Sequence, residues 1–237
     1  MPDRSALAAA AEELSTAVDR GRSLCRPFLR VLPVVGAAVS TLGAPFGSET
    51  VCATDAQAAR LDELQFDLGE GPCWQALTER RPVLTAKLDR ESDRWPLFTA
   101  ALAGFDVCAM FAFPLTLGSL NIGAVDLYSD QERTLSTAQV QDAVTLAEIC
   151  TRQVLRRALT ESPVQRGEED PDGFSRREVH QATGMVLAQL GLTAADALLV
   201  INAYAFARGM TVRRVAADIV ARRVDVAEDW APPAGSL

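Results

Sequence analysis

The densest chemistry in the sequence is a run of arginines near its C-terminal end. Between Gly173 and Val224 stand Arg176, Arg177, Arg208, Arg213, Arg214, Arg222 and Arg223, against Glu178, Asp196 and Asp218, a local balance of +4. Guanidinium groups neutralise phosphates, and their planar forks stack on exposed bases. Arg176, Arg177, Gln181 and Thr183 fall at or near an expected helix start, where free backbone N–H groups add further donors. The plain alternative is that these arginines solvate the surface of a small bundle. The lone histidine, His180, sits beside an apolar stripe; it reads as a boundary residue or a stacking partner, and it rules out a multi-His metal site. Five cysteines stand at 25, 52, 73, 108 and 150. Their odd count, wide spacing and lack of a CxxC pair argue against a disulfide framework or a zinc site and for reduced thiols.

These residues must be positioned by elements that the pattern outlines. Leu7, Ala11, Leu14 and Val18 space a helix over 5–20, continuing loosely through Leu24, Phe28 and Leu29. Val34–Leu42 and Glu49–Asp55 read as a strand pair. Ala56–Phe66 is helical, and Gly71-Pro72 opens another helix. Pro82–Ala86 is a short strand, Arg94–Gly104 a short helix. Two strands then flank Gly118 and Ser119. The order predicts an α+β fold around an antiparallel sheet.

A long helix follows from Ser136. Its seam of Val140, Val144, Ala147, Thr151, Val154 and Ala158 has heptad spacing. It serves either to pack the helix on its own sheet or to form a dimer interface with the N-terminal helix. The segment ESPVQRGEEDPDG, with two prolines and five acids, marks a linker. Behind it, three amphipathic stripes separated by Gly191 and Arg208-Gly209 predict a three-helix bundle. Thr193 and Thr211 are the expected caps. Small residues at Ala182 and Gly184 suggest a close helix approach. The expected division is 1–160, an acidic linker at 161–172, and 173–237.

The chain has 237 residues, 49% hydrophobic and 23% charged, with a formal net charge of −8. That composition is globular, and a chain so acidic does not advertise nonspecific nucleic-acid binding. The charge is unevenly spread: −9 over residues 1–172 and +1 over 173–237. No apolar run reaches the ~18 residues of a membrane helix. Asp3, Glu12 and Glu13 stand where a signal peptide would be basic, so no secretion signal, no membrane and a cytoplasmic location are expected.

The C-terminal segments EVHQATGMVLAQLGLTAADAL and AYAFARGMTVRRVAADIVARR resemble the ANTAR domain, a three-helix RNA-binding module of bacterial transcription antiterminators. The matching positions are Gln181, Ala182, Gly184, Met185, Ala197, Ala203, Ala205, Val215, Ala216 and Asp218–Val220. Upstream, FDLGEGPCWQAL, RPVLTAKL, RWPLFTAAL and FPLTLGSLNIGAVDLYS resemble the GAF domain found before ANTAR domains in actinobacterial proteins, over about 20–158.

The resemblance implies a GAF-like antiparallel sheet flanked by helices and followed by an ANTAR-like bundle. It implies a homodimeric regulator whose GAF domain senses a small-molecule or redox signal. Its ANTAR domain would bind tandem hairpins in nascent transcripts. The RNA-binding candidates are then Arg176, Arg177, Gln181, Thr183, Arg208, Arg213, Arg214, Arg222 and Arg223. The ligand candidates are Cys73, Trp74, Trp95 and Phe98. Cys73 would lie at a helix start that lowers thiol pKa, or be an ordinary buried cysteine; Trp95 and Phe98 are core or ligand walls. No cofactor, metal or catalytic residue is implied. The pattern is departed from at Thr183, where many ANTAR sequences carry Lys, and at Val200 and Asn202, where related tails carry Arg. Fewer cations weaken phosphate attraction, so a protein-interaction regulator without RNA affinity is the alternative. A GAF-fold thiol reductase would need paired cysteines, with Cys52, Cys73 and Cys108 as candidates, and would leave the ANTAR-like tail unexplained.

Overall fold

The computed structural model describes residues 4–17, 23–43, 46–160 and 176–226. It divides into two compact units, with the second beginning at Arg176. The expected linker, 161–172, lies outside the described residues.

The first unit is built on a five-stranded antiparallel sheet. Its strands are β1 (Gly36–Thr41), β2 (Glu49–Ala53), β3 (Val83–Thr85), β4 (Ala109–Leu117) and β5 (Leu120–Ser129), in the order β2-β1-β5-β4-β3. β1 and β5 are central and covered on both faces. Their residues therefore form apolar runs rather than an alternation of apolar and polar. Pro114 is tolerated in β4 because β3 pairs only with Met110–Ala112, which leaves Pro114 open on that side.

Alternate residues of each strand point to opposite faces. Val39, Phe111, Phe113, Val125 and Leu127 meet α1 (Arg4–Ser15), α2 (Arg26–Val31) and α6 (Thr137–Thr160). Ala38, Met110, Ala112 and Tyr128 meet the layer formed by α3 (Ala56–Leu68), α4 (Pro72–Glu79) and α5 (Pro96–Ala101). α3 is capped by Asp55, whose carboxylate accepts from the Ala58 N–H at 2.8 Å and from the Tyr128 hydroxyl at 3.1 Å. One contact thus sets both the start of α3 and its seat on β5.

Two expectations change, and the α6 seam takes the first of its two expected roles. The N-terminal helix is two helices, because Pro27 opens α2 as a separate element. The heptad seam of α6 is filled within the chain. Ala147, Thr151 and Val154 are buried, and α6 packs against α1 and β4 of the same unit. Cys25 and Cys52 form a disulfide, contrary to the expectation of reduced thiols throughout. Spacing along the chain hid this pair. Cys25 caps α2 and Cys52 lies on edge strand β2, which brings their Cα atoms to 6.2 Å, within bridging range.

The second unit is a bundle of α7 (Arg177–Leu190), α8 (Ala194–Ala207) and α9 (Val212–Val220). Gly191 ends α7 in a left-handed conformation. Thr193 accepts from the Asp196 N–H and donates to the Asp196 carboxylate, and Thr211 accepts from the Arg214 N–H. The core contains the expected Val179, Ala182, Ile201, Val215 and Ile219, together with Tyr204. Among the described residues, no single helix is long and apolar enough to cross a membrane.

Candidate functional site

The arginines of the second unit do not form a uniform coat. α9 carries Arg213 and Arg214, and the turn after it carries Arg222 and Arg223. Between them Asp218 ties two together. Its carboxylate accepts from Arg223 Nε at 2.8 Å and from Arg214 Nε at 3.3 Å. The Arg223 hydrogen bond, helped by the charges of both arginines, holds the Asp218 carboxyl below its usual range. Both guanidinium groups remain largely exposed while anchored at one end. Anchoring limits the rotamers they must lose on binding a phosphate. Arg222 is exposed, Arg213 is half-buried, and Arg208 stacks over the Tyr204 ring at 4.5 Å.

On α7 the structure separates the candidates. Arg177 and Gln181 are exposed, whereas Arg176 is only 5% exposed. Thr183 is half-buried, and its hydroxyl donates to the Val179 carbonyl at 2.7 Å. His180 is surface-exposed; partial burial and then the Arg176 charge lower its pKa.

Gly184 overturns the packing expectation. It is exposed, and a Cβ there would meet no atom within 4 Å. Ala182 alone serves the helix approach. Arg177, Gln181, Gly184 and Ala188 recur at i, i+4, i+7 and i+11 and share an exposed face. A bare glycine in that stripe opens the helix backbone to close approach by a ligand.

In the first unit, all four ligand candidates fall on the α3–α4–α5 side of the sheet. Trp95 and Phe98 are buried among Ala38, Ala112 and Tyr128. The Phe98 N–H is held by the Glu70 carboxylate at 2.6 Å, and Arg94 lies over the Trp95 ring. Cys73 is fully buried beside Phe66 and Ala124, with Trp74 packed against it.

The organiser of this region is Gln65, which sequence reasoning missed. Its side-chain carbonyl accepts from the Cys73 N–H at 2.9 Å, and its amide donates to Asp126. Its backbone carbonyl accepts from the Trp74 indole at 2.7 Å. Gly71 makes this possible. Its φ of 133° suits glycine, and a Cβ there would stand 2.6 Å from the Gln65 side chain.

Asp126 and Asp62 were missed as well. Both are buried, Asp62 on α3 and Asp126 on β5. Thr50 donates to Asp62 at 2.5 Å. Burial, then the Asp62 charge, lifts the Asp126 carboxyl well above the usual carboxylate range. Burial, then the charges of Asp126 and Asp62, pushes the Cys73 thiol up as well. This reverses the expectation of a dipole-activated thiol: two neighbouring acids and the core outweigh the helix terminus. The signal was an aspartate inside the otherwise apolar strand NIGAVDLYS. Among the described residues, no group of three His, Cys, Asp or Glu side chains is arranged to hold a metal ion.

The family model of the GAF domain matches residues 22–152, and that of the ANTAR domain matches residues 175–220. Comparison with curated proteins returns no match. Among solved structures, the chain is similar to the GAF domain of an Acinetobacter phosphoenolpyruvate-protein phosphotransferase. The identity is 12% and the TM-score 0.49, covering 65% of this chain and 96% of that one. It is similar to the GAF domain of the Coxiella burnetii phosphoenolpyruvate-protein phosphotransferase, at 12% identity and TM-score 0.48, covering 65% and 95%. It is also similar to free methionine-R-sulfoxide reductase from Neisseria meningitidis in complex with its substrate, at 13% identity and TM-score 0.45, covering 67% and 96%. With the first family match spanning more than half of the residues and the second lying behind it, the chain belongs to the GAF domain family and carries a C-terminal ANTAR domain, as a GAF and ANTAR domain regulator.

Proposed function

We propose that the protein is a transcription antiterminator of the cytoplasm that binds tandem RNA hairpins through its ANTAR domain. Its GAF domain reads a small-molecule signal, and the protein works as a homodimer by binding rather than by catalysis. The observation that carries this reading is the arginine group on and after α9. Arg214 and Arg223 are held by Asp218 yet largely exposed, in a unit whose upstream partner holds most of the acids. Such a group supplies phosphate contacts that set register, while the exposed Arg177–Gln181–Gly184 stripe offers donors and backbone access to unpaired loop bases. Arg176 is buried and the Thr183 hydroxyl donates within its own helix, so this reading places less weight on these two than on the exposed stripe.

Much of the α6 seam packs within the chain, so this reading places the dimer contact on other surface. Cys52 is engaged with Cys25, and the Cys73 thiol is held protonated, which weighs against the thiol reductase.

A second reading has its own support. α8 leaves Leu199 65% and Phe206 71% exposed, on a helix that carries Val200 and Asn202 in place of cations. That face suits a protein partner better than a phosphate backbone. A transcription assay on a template with overlapping hairpin and terminator separates the two readings. Antitermination predicts more read-through when the purified protein is added; unchanged read-through with intact hairpin sequences favours the protein-interaction reading.

A further inference from the structure

The Cys25–Cys52 disulfide joins two segments that meet beside the last turns of α6. Cys25 is fully buried at the start of α2, whereas Cys52 is half-buried on β2, the edge strand of the sheet. Next to Cys52 the strand is irregular. Cys52 pairs with Val39 and Thr50 with Ser40, so Val51 is the extra residue of a bulge. A bulge takes its extra residue out of the ladder. Here the Val51 carbonyl accepts from Arg157 Nη1 on α6 at 3.3 Å. One turn earlier on α6, the Gln153 amide donates to the Ser15 carbonyl, at the end of α1, at 2.8 Å. The last turns of α6 thus hold the segment that leads to Cys25 and the residue beside Cys52, and the disulfide closes that circuit. α6 ends at Thr160, and the second unit begins at Arg176.

The chemistry of the cysteines points the same way. In a reducing compartment, disulfides are rare and are mostly transient or redox-sensing. Of the bonded pair, Cys52 carries the solvent-accessible surface, so an incoming thiolate meets its sulfur first. Burial pushes the thiols of Cys73 and Cys150 up and holds them protonated, which makes them poor competitors for exchange.

We propose that Cys25–Cys52 is a reversible thiol–disulfide exchange site, that its co-reactant is a low-molecular-weight thiol, and that opening it loosens the last turns of α6. A thiolate of the co-reactant attacks the Cys52 sulfur and forms a mixed disulfide. The Cys25 sulfur leaves with the electron pair of the broken bond and takes up a proton. A second thiolate of the same class attacks the co-reactant sulfur of the mixed disulfide, and Cys52 leaves and is protonated. Two electrons have then passed to the protein, and two co-reactant thiols have become one disulfide. Oxidised co-reactant runs the same steps backward. With the bond open, β2 keeps its pairing to β1 but loses its tie to α2. The Arg157 contact at the bulge then opens more often, and the end of α6 with it.

This assignment rests on the sensor reading of the GAF domain in a reducing compartment and not on RNA binding. The test uses the full chain without RNA. The folded protein is equilibrated with mixtures of reduced and oxidised glutathione and alkylated, and each cysteine is read by peptide mass spectrometry. We expect alkylation of Cys25 and Cys52 to rise together with the reduced fraction and to fall when oxidised glutathione is restored. Cys73 and Cys150 should stay unmodified throughout, the mark of an intact fold. Amide hydrogen exchange over 150–160 should be about 5-fold or more faster in the open form, with β4 and β5 unchanged. Cys25→Ser with Cys52→Ser should exchange like the open form and ignore glutathione; if that variant does not fold, the open and closed forms of the parent carry the comparison. The assignment is overturned if the bond stays closed in millimolar reduced glutathione, which makes it a structural crosslink only. It is overturned equally if the bond opens only as Cys73 and Cys150 become reactive, or if exchange over 150–160 is the same in both forms. Hairpin binding is measured separately on both forms. Reversible opening with a looser α6 but no hairpin binding in either form refutes the antiterminator and leaves this site standing; hairpin binding by a chain whose bond never opens refutes only the site.

Discussion

Two aspartates in this protein meet opposite surroundings. Asp126 sits in the middle of the GAF sheet near another acid, with one carboxyl oxygen lacking a hydrogen-bond partner, and its carboxyl is driven toward the neutral form. Asp218 sits on the ANTAR bundle between Arg214 and Arg223 and is driven toward the charged form. In one unit burial and a like charge act on the acid; in the other it organises an excess of positive charge. The formal −8 of the chain averages these and conceals both. Where charges sit decides what surroundings each unit offers to a charged group.

The largest break in this comparison comes from reversing the cationic side. Arg213→Glu with Arg214→Glu should lower hairpin affinity by ~100-fold or more at moderate salt, because each reversal replaces a phosphate attraction with a repulsion. Circular dichroism should show unchanged helicity. An affinity within a factor of about three of the parent would remove α9 from the interface.

On the acidic side, the sign of the pH dependence separates the two aspartates. A raised folded-state carboxyl pKa makes folding favour the protonated form. Stability is then lost as pH rises from the ordinary carboxylate range toward the raised value. Asp126→Asn removes that loss. It should melt a few degrees above the parent at pH 8, with a smaller gain at pH 5. A variant that melts lower at pH 8 would mean the carboxylate is compensated in the native protein.

Gly184→Ala has a smaller effect and sharpens the RNA face. The added methyl meets open space and restores helix propensity, so the unit should gain about 0.5–1 kcal/mol. Hairpin affinity should nevertheless fall several-fold if RNA approaches the α7 backbone. Gain in both quantities would show that this face is unused.

The smallest effect is expected from Asp218→Asn. With its folded-state pKa lowered, Asp218 contributes stability above the ordinary carboxylate range and loses it as pH falls through the lowered value. Because Arg214 and Arg223 are solvent-exposed, the change in melting at neutral pH should be slight. A large loss would show that the three side chains form more than a surface cluster.

Much of the fold was legible in the sequence because its periodicities are local. The three stripes of the bundle, the caps Thr193 and Thr211, and the strand pair around Gly118 follow from spacing and turn chemistry. What was hidden depends on contacts between distant segments. Cys25 and Cys52 become neighbours only when α2 lies beside β2. Gln65 reads as an ordinary helical residue, yet it connects Asp126, Cys73 and Trp74. Gly184 matched the pattern of a packing glycine, because a stripe read from sequence is uncertain by one position at its edge. Asp126 was the one visible clue, a charge in an apolar strand.

The most direct test of the central claim is a titration of the full chain with a tandem-hairpin RNA across a range of salt concentrations. The account predicts saturable binding at low salt, weaker binding as salt rises, and little competition from duplex RNA lacking the loops. No binding at low salt by a folded, intact preparation would contradict it.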